Sequence, residues 1–150
     1  MSGQPLIYYV VLRERGENWN ARIPMRQQEQ WEQHDFFFLH FKPADAAGED
    51  GDFQAKIRAL EDFDTHVETL HSTQPDVMII AGDHSTPSVL AGHSWHTVPF
   101  LFHARHFVTI DSSEGFNEKA CRRGTLGVFP AKEVLSLAMA YAGRLTKYGA

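Results

Sequence analysis

Apolar positions fall into several short runs and one long periodic stretch. Residues 6–12 form a compact apolar run rich in β-formers and predict a strand. Residues 14–26 are polar, carry Gly16, Asn18, Asn20 and Pro24, and predict a loop. Residues 27–34 predict a short helix. The compact apolar run at 36–41 predicts a strand buried on both faces. Residues 43–52, with two glycines, predict a loop. Beyond it the spacing of Phe53, Ile57, Leu60, Phe63, Val67 and Leu70, in steps of three and four, predicts an amphipathic helix over 53–70 with Asp52 as its N-cap. Val77–Ala81 reads as a second buried strand, and residues 82–87 as the loop at its C-terminal end. Residues 98–102 and 107–110 predict further strands, and 114–122 a short helix ended by Gly124 and Gly127. A final helix over 130–147 opens with proline and carries Val134, Leu135, Leu137, Ala138, Tyr141 and Leu145.

Strands alternating with helices imply a layered α/β architecture with a largely parallel sheet. The two fully apolar strands, 36–41 and 77–81, are expected to lie side by side at its centre, with the helix 53–70 crossing over between them. The strand at 6–12 is expected to cap an edge. No repeat, low-complexity tract or linker divides the 150 residues.

Composition narrows the possibilities. Apolar residues make up 43% of the chain and charged residues 22%, as in a soluble globular domain. A net charge of −5 offers no basic footprint for nucleic acid. The run at 6–12 is too short for a membrane span and has neither the basic start nor the cleavage site of a signal peptide. A single cysteine, Cys121, forbids an internal disulfide and points to a reducing cytoplasm. There are nine histidines, and His84, His93, His96, His103 and His106 cluster in the second half. Imidazole is the commonest metal ligand and the usual acid or base near neutral pH.

In an open α/β sheet, ligands bind beyond the C-terminal ends of the strands. Three loops are expected there: one with Asp45, Glu49 and Asp50, one with Asp83 and His84, and one with His93 and His96. Together they form an oxygen and nitrogen donor set suited to manganese, zinc or magnesium. An Asp-His pair followed nine residues later by a histidine can serve two neighbouring metals, which can clamp the oxygens of a phosphoryl group. Each piece alone is weak. An aspartate in a glycine-rich loop is most often a turn residue or a cap, and an Asp-His dipeptide is usually incidental.

The segment Ala81-Gly82-Asp83-His84-Ser85-Thr86-Pro87 resembles the Asp-His-Ser-Thr-Pro motif of archaeal-type, 2,3-bisphosphoglycerate-independent phosphoglycerate mutases. His93-Ser94 with Val98-Pro99-Phe100 is similar to the element that follows it. Phe38-Leu39-His40-Phe41-Lys42, Asp45 and Gly48-Glu49-Asp50-Gly51-Asp52 resemble the family's His-x-Lys…Asp…Gly-x-Asp-Gly loop. Gly124-Thr125-Leu126-Gly127 and the closing Arg144-Leu145-Thr146-Lys147-Tyr148-Gly149-Ala150 are similar to its ending. The likeness covers residues 35–150, in order. It implies an alkaline phosphatase-like layered fold, here incomplete, in which Asp45, Glu49 and His93 hold one divalent metal while Asp83 and His84 help hold a second. Glu49 stands where more distant members have histidine, which favours a harder ion. His40 and Lys42 would lie near the substrate at the rim, although both also suit a solvated strand end.

In that family a metal-bound serine nucleophile and an inserted substrate-gripping domain lie upstream. Neither is visible before Asp35. Ser85 is the local candidate nucleophile, but a serine after Asp-His more readily hydrogen-bonds its own loop. Residues 1–34 instead resemble, through Tyr9-Val10-Val11-Leu12-Arg13-Glu14-Arg15-Gly16 and Trp31-Glu32-Gln33-His34, the opening of small YciI-like proteins. The resemblance therefore implies two parts. One is a segment of uncertain origin at 1–34, whose likeness to YciI-like proteins fits either a rearranged gene or coincidence. The other, at 35–150, is the metal-binding part of a phosphoglycerate mutase-type isomerase that lacks the nucleophile. Its substrate would be a phosphorylated small molecule, phosphoglycerate, and its partner a complementing N-terminal half; neither nucleic acid nor membrane is expected. The competing readings are another phosphotransferase or phosphohydrolase of the same superfamily, and a non-catalytic metal-binding or interaction domain.

Overall fold

A computed structural model describes residues 7–11, 34–106, 110–111 and 115–145. The expected loop at 14–26 and helix at 27–34 fall almost wholly outside these residues, as do residues 107–109 of an expected strand and the closing 146–150. Ile110 is not in a strand.

The sheet has four strands: β1 (Ile7–Val11), β2 (Phe36–His40), β3 (Val77–Ala81) and β4 (Phe100–Ala104). Their order is β2-β1-β3-β4. β1 runs parallel to both β2 and β3, with Tyr9 opposite Phe38 on one side and Ile79 on the other. β4 is antiparallel to β3, with Ile79 opposite Phe102. The layered α/β class with a largely parallel sheet is therefore as expected. The expected topology is not. β1 lies between β2 and β3 rather than capping an edge, and β2 is the edge strand. A continuous apolar run marks a strand suited to a sheet interior without saying which neighbours it takes. The triple Phe36-Phe37-Phe38 suggested burial on both faces, yet Phe36 is 44% and Phe38 55% exposed, as an edge position allows.

α1 (Pro43–Glu49) replaces the loop expected at 43–52. Proline at its start and three alanines outweigh Gly48. The helix stops at Gly51, whose φ of 71° suits a residue without a Cβ. α2 (Phe53–Ser72) follows, and its N-cap is as expected: the Asp52 carboxylate accepts the Ala55 N–H at 2.8 Å. β4 starts two residues later than expected because Pro99 has no N–H to give the ladder. α3 (Glu118–Cys121) is shorter than the helix expected there. α4 (Val134–Tyr141), preceded by a 3-10 turn at Ala131–Glu133, is shorter than the expected 130–147. Gly143, at φ 70°, closes it: the Gly143 N–H reaches the Ala140 carbonyl and the Arg144 N–H the Met139 carbonyl.

β3 is the spine of the packing, with all five residues buried. Met78 and Ile80 pack with Phe41, Ala44, Phe63 and Leu70 beneath α1 and α2. Val77, Ile79 and Ala81 face the opposite way, onto Val134 and Ala138 of α4 and Ala142 just after it. Each such aliphatic side chain withdrawn from water contributes about 1.5–3 kcal/mol. This double burial fixes β3 and so fixes where the loop at its C-terminal end emerges.

Candidate metal centre

α1 begins two residues after β2, so its first turn sits at the C-terminal edge of the sheet. Asp45, in that turn, is 6% exposed. Its carboxylate is held from two sides. Lys42 Nζ donates to Oδ2 at 2.6 Å, and the Thr86 hydroxyl donates to Oδ1 at 2.5 Å. Burial alone would raise the carboxyl's pKa. The hydrogen bonds from Lys42 and Thr86, then the charges of Lys42 and His84, outweigh it and hold the group below its ordinary value. The hydrogen bond to Asp45 in turn raises the Lys42 ammonium above its ordinary value, although burial opposes this. Asp45 is thus a buried anion.

Glu49 follows one turn later on the same face of α1. Its Oε2 lies 3.6 Å from Lys42 Nζ and its Oε1 3.2 Å from His93 Nε2. His93 Nε2 is also 3.9 Å from Asp45 Oδ1. From the loop after β3, His84 places Nδ1 3.9 Å from Asp45 Oδ1 and Nε2 3.5 Å from Asp83 Oδ2. The rings of His84 and His93 are 3.8 Å apart. Asp45, His84 and His93 each offer a ligand atom within 4.8 Å of the others, the only such trio among the described residues.

Local backbone bonds bring the two histidines together. After His84 the chain turns through the Leu90 N–H to Pro87 carbonyl bond, at 2.9 Å. It then returns antiparallel, the Ser94 N–H bonding the Ser85 carbonyl at 2.8 Å. The loop is pinned from beneath. Lys56 of α2 donates to the Thr86 carbonyl at 2.5 Å, and burial lowers the pKa of that ammonium. Gly48 lies so close that a Cβ there would fall 2.4 Å from the Thr86 carbonyl oxygen. Glycine in α1 is required by this approach.

Not every expected residue gathers here. Asp50 caps α1 and is exposed. His96 is exposed, bonded to the Ser94 hydroxyl at 2.9 Å and stacked on Trp95. His40 ends β2 half-buried, its ring 6.0 Å from that of Phe38. Lys42 lies between Asp45 and Glu49, with its side chain 15% exposed. His103 lies on β4 opposite Met78, near the start of β3, with His71 beside it. Thr86, Lys56 and Gly48 escaped the sequence reading. Thr86 lay inside the quoted motif, but nothing in a threonine's identity says that its hydroxyl is 4% exposed and bonded to a carboxylate 41 residues away.

The protein is similar to known proteins in sequence and structure. A probable 2,3-bisphosphoglycerate-independent phosphoglycerate mutase of Thermosipho melanesiensis is 49% identical over 123 residues, 82% of this chain and 30% of that protein. Proteins of the same description from Aquifex aeolicus and Thermus thermophilus are 48% and 44% identical, over 80% and 82% of this chain and 29% and 30% of theirs. The chain thus spans about 30% of the length of the curated relatives it matches. The structure of the PH0037 protein from Pyrococcus horikoshii superposes with a TM-score of 0.77 at 33% identity, over 84% of this chain and 39% of that one. Among the described residues no helix is long and apolar enough to cross a membrane. The family model described as the metalloenzyme superfamily matches residues 17–141, from before β2 to the end of α4 and through every ligand-type residue of the cluster. The buried carboxylate and its paired imidazoles thus have a family to match: this chain belongs to the metalloenzyme superfamily.

Proposed function

We propose that the chain is the metal-binding part of a 2,3-bisphosphoglycerate-independent phosphoglycerate mutase-type isomerase, which interconverts 3- and 2-phosphoglycerate. The observation that carries the reading is the gathering of Asp45, Glu49, Asp83, His84 and His93 at one sheet edge, in a chain 49% identical to a protein named as such a mutase. In this reading Asp45, Glu49 and His93 hold one divalent ion, while Asp83 and His84 contribute to a second. Carboxylate and imidazole donors suit manganese or zinc, and magnesium less well. The cluster fits a cation: the Lys42 ammonium already lies between Asp45 and Glu49. A bound divalent ion would supply charge stabilisation for phosphoryl transfer.

The chain's own residues divide the remaining work. Asp45, kept ionised, gives the site its fixed negative charge. Lys42 balances that charge and, as the family resemblance implies, would with His40 lie near an incoming phosphate at the rim. Residues 35–150 form the metal-binding part, and the segment at 1–34 contributes β1. The Ser85 backbone carbonyl helps close its loop by accepting the Ser94 N–H. The nucleophile and most substrate contacts would come from a part equivalent to the remaining length of the relatives, such as a complementing N-terminal half. The cytoplasm is the compartment that suits the lone cysteine and a glycolytic substrate. A non-catalytic metal-binding module is the second reading, favoured by a ligand trio, Asp45, His84 and His93, that forms wholly within residues 45–93.

The test is conversion of 3-phosphoglycerate to 2-phosphoglycerate with manganese present. The 150-residue chain alone is expected to show negligible turnover, and to gain activity when mixed with the complementing part of a relative. Turnover near or above about one per second by the chain alone, within the ordinary enzyme range, would mean that it carries its own nucleophile. Metal binding with no gain on mixing would favour the non-catalytic module.

A further inference from the structure

We infer that Thr86 is a positioning residue that fixes the tautomer of His84 and thereby decides which of its nitrogens is offered to a metal. The inference rests on the proposed metal-binding role of the cluster and goes beyond it, since it assigns a function to a side chain that is not itself a ligand there.

A threonine hydroxyl has one proton to donate and lone pairs with which to accept. Thr86 Oγ1 has two close polar neighbours: Asp45 Oδ1 at 2.5 Å and His84 Nδ1 at 3.1 Å. An ionised carboxylate only accepts, so the hydroxyl proton goes to Asp45. Thr86 can then only accept from His84, and Nδ1 must carry the proton. In the neutral ring this leaves the lone pair on Nε2. That atom lies 3.5 Å from Asp83 Oδ2, while Asp83 Oδ1 is occupied by the His84 backbone N–H at 3.1 Å. With Nδ1 committed to Thr86, the Nε2 lone pair and Asp83 Oδ2, 3.5 Å apart, are both acceptors and form a donor pair for a cation between them. The close Asp45–His84–His93 trio separates into two donor sets: Asp45, Glu49 and His93 Nε2 on one side, Asp83 and His84 Nε2 on the other.

Thr86 can impose this because it is itself held. It is 4% exposed, its carbonyl receives Lys56 Nζ at 2.5 Å, and Gly48 of α1 packs directly against that carbonyl. α1 carries Asp45 and Glu49, so one residue couples the two donor sets. A partner that orients a metal-binding histidine in this way is commonly worth 10–100-fold in metal affinity, as a rough range.

The experiment uses the full chain labelled with 15N-histidine. Long-range proton–nitrogen spectra are recorded without metal at about pH 8, where unperturbed imidazoles are neutral. The His84 signals are identified with His84→Gln. The expected result is an Nδ1–H tautomer for His84, lost in Thr86→Val and restored in Thr86→Ser. Manganese titration should show affinity about 10–100-fold weaker in Thr86→Val and near the original value in Thr86→Ser. An Nε2–H tautomer in the unaltered chain would overturn the inference, as would unchanged affinity in a folded Thr86→Val. If that variant does not fold, the unaltered chain's tautomer decides. Failure of the unaltered chain to bind manganese would instead overturn the proposed metal site, leaving the tautomer result to be read by itself.

Discussion

Among the described residues two histidine pairs lie close, and one of them has the surroundings of a candidate metal site. His84 and His93, with rings 3.8 Å apart, lie beyond the C-terminal end of β3. His71 and His103, with rings 4.9 Å apart, lie beside its beginning. The first pair faces a buried, ionised aspartate together with Glu49 and Asp83. The second shares a small cleft with Asp64, Glu68, Val67 and Met78, and belongs to no ligand trio among the described residues. Burial, then the charges of His71 and Arg105, lowers the pKa of His103. Imidazoles in proximity are common to both ends. A buried carboxylate, held charged by Lys42 and Thr86 against the cost of burial, is found at one.

The comparison breaks most visibly at Asp45. Asp45→Ala removes the shared anion, and manganese affinity should fall by at least about 100-fold, beyond the usual loss for an outer-shell partner. His103→Gln, at the other end, should leave that affinity unchanged. Isothermal titration of both variants checks this, and equal losses would erase the distinction.

Gly48→Ala sharpens the comparison by loading the metal end alone. Helix propensity favours alanine by about 1 kcal/mol. The 2.4 Å approach to the Thr86 carbonyl opposes it with an overpacking cost of about 1–3 kcal/mol, and the rigid backbone partner places it toward the upper end. Net destabilisation is expected, seen as a lower denaturant midpoint and weaker metal binding together. A gain in stability would show that α1 does not press on the loop.

Acid should unload the two ends in sequence. His103 has a folded pKa below its ordinary 6.5, so the stability it contributes is present above that value and lost as pH falls through the folded pKa. Asp45 has a folded pKa below its ordinary 3.8, so its contribution is present above that value and lost only in a lower window, through its own folded pKa. Denaturation of the metal-free chain across pH should show the higher step vanish in His103→Gln while the lower one stays. The smallest effect is expected from Asp52→Ala, which removes the cap of α2 at about 1 kcal/mol with no change in metal affinity.

Much of the metal end was legible because ligand chemistry is carried by residue identity and order. Asp45, Asp83, His84 and His93 stood in a recognisable sequence, and the amphipathic spacing of 53–70 with Asp52 before it marked α2. Positions that depend on what a residue meets in space were not legible. The apolar run at 6–12 could equally serve an edge or a centre; pairing with both β2 and β3 settles it. Two glycines suggested a loop at 43–52, when one is a helix residue selected by contact with Thr86 and the other a helix stop. Gly143 carried the signal that ends α4, hidden within an otherwise helical pattern. His103 and His106 are near His93 in sequence, but β4 runs back along β3 and carries His103 to the far end.

The central claim is that cation binding is confined to the end of β3 that carries Asp45. Substoichiometric manganese added to the 15N-histidine-labelled chain tests it directly, because the paramagnetic ion broadens nearby signals. The account predicts loss of the His84 and His93 signals first, with those of His71 and His103 persisting, and loss of this selectivity in Asp45→Ala. Broadening of His71 and His103 first, or of none of the four, would contradict it.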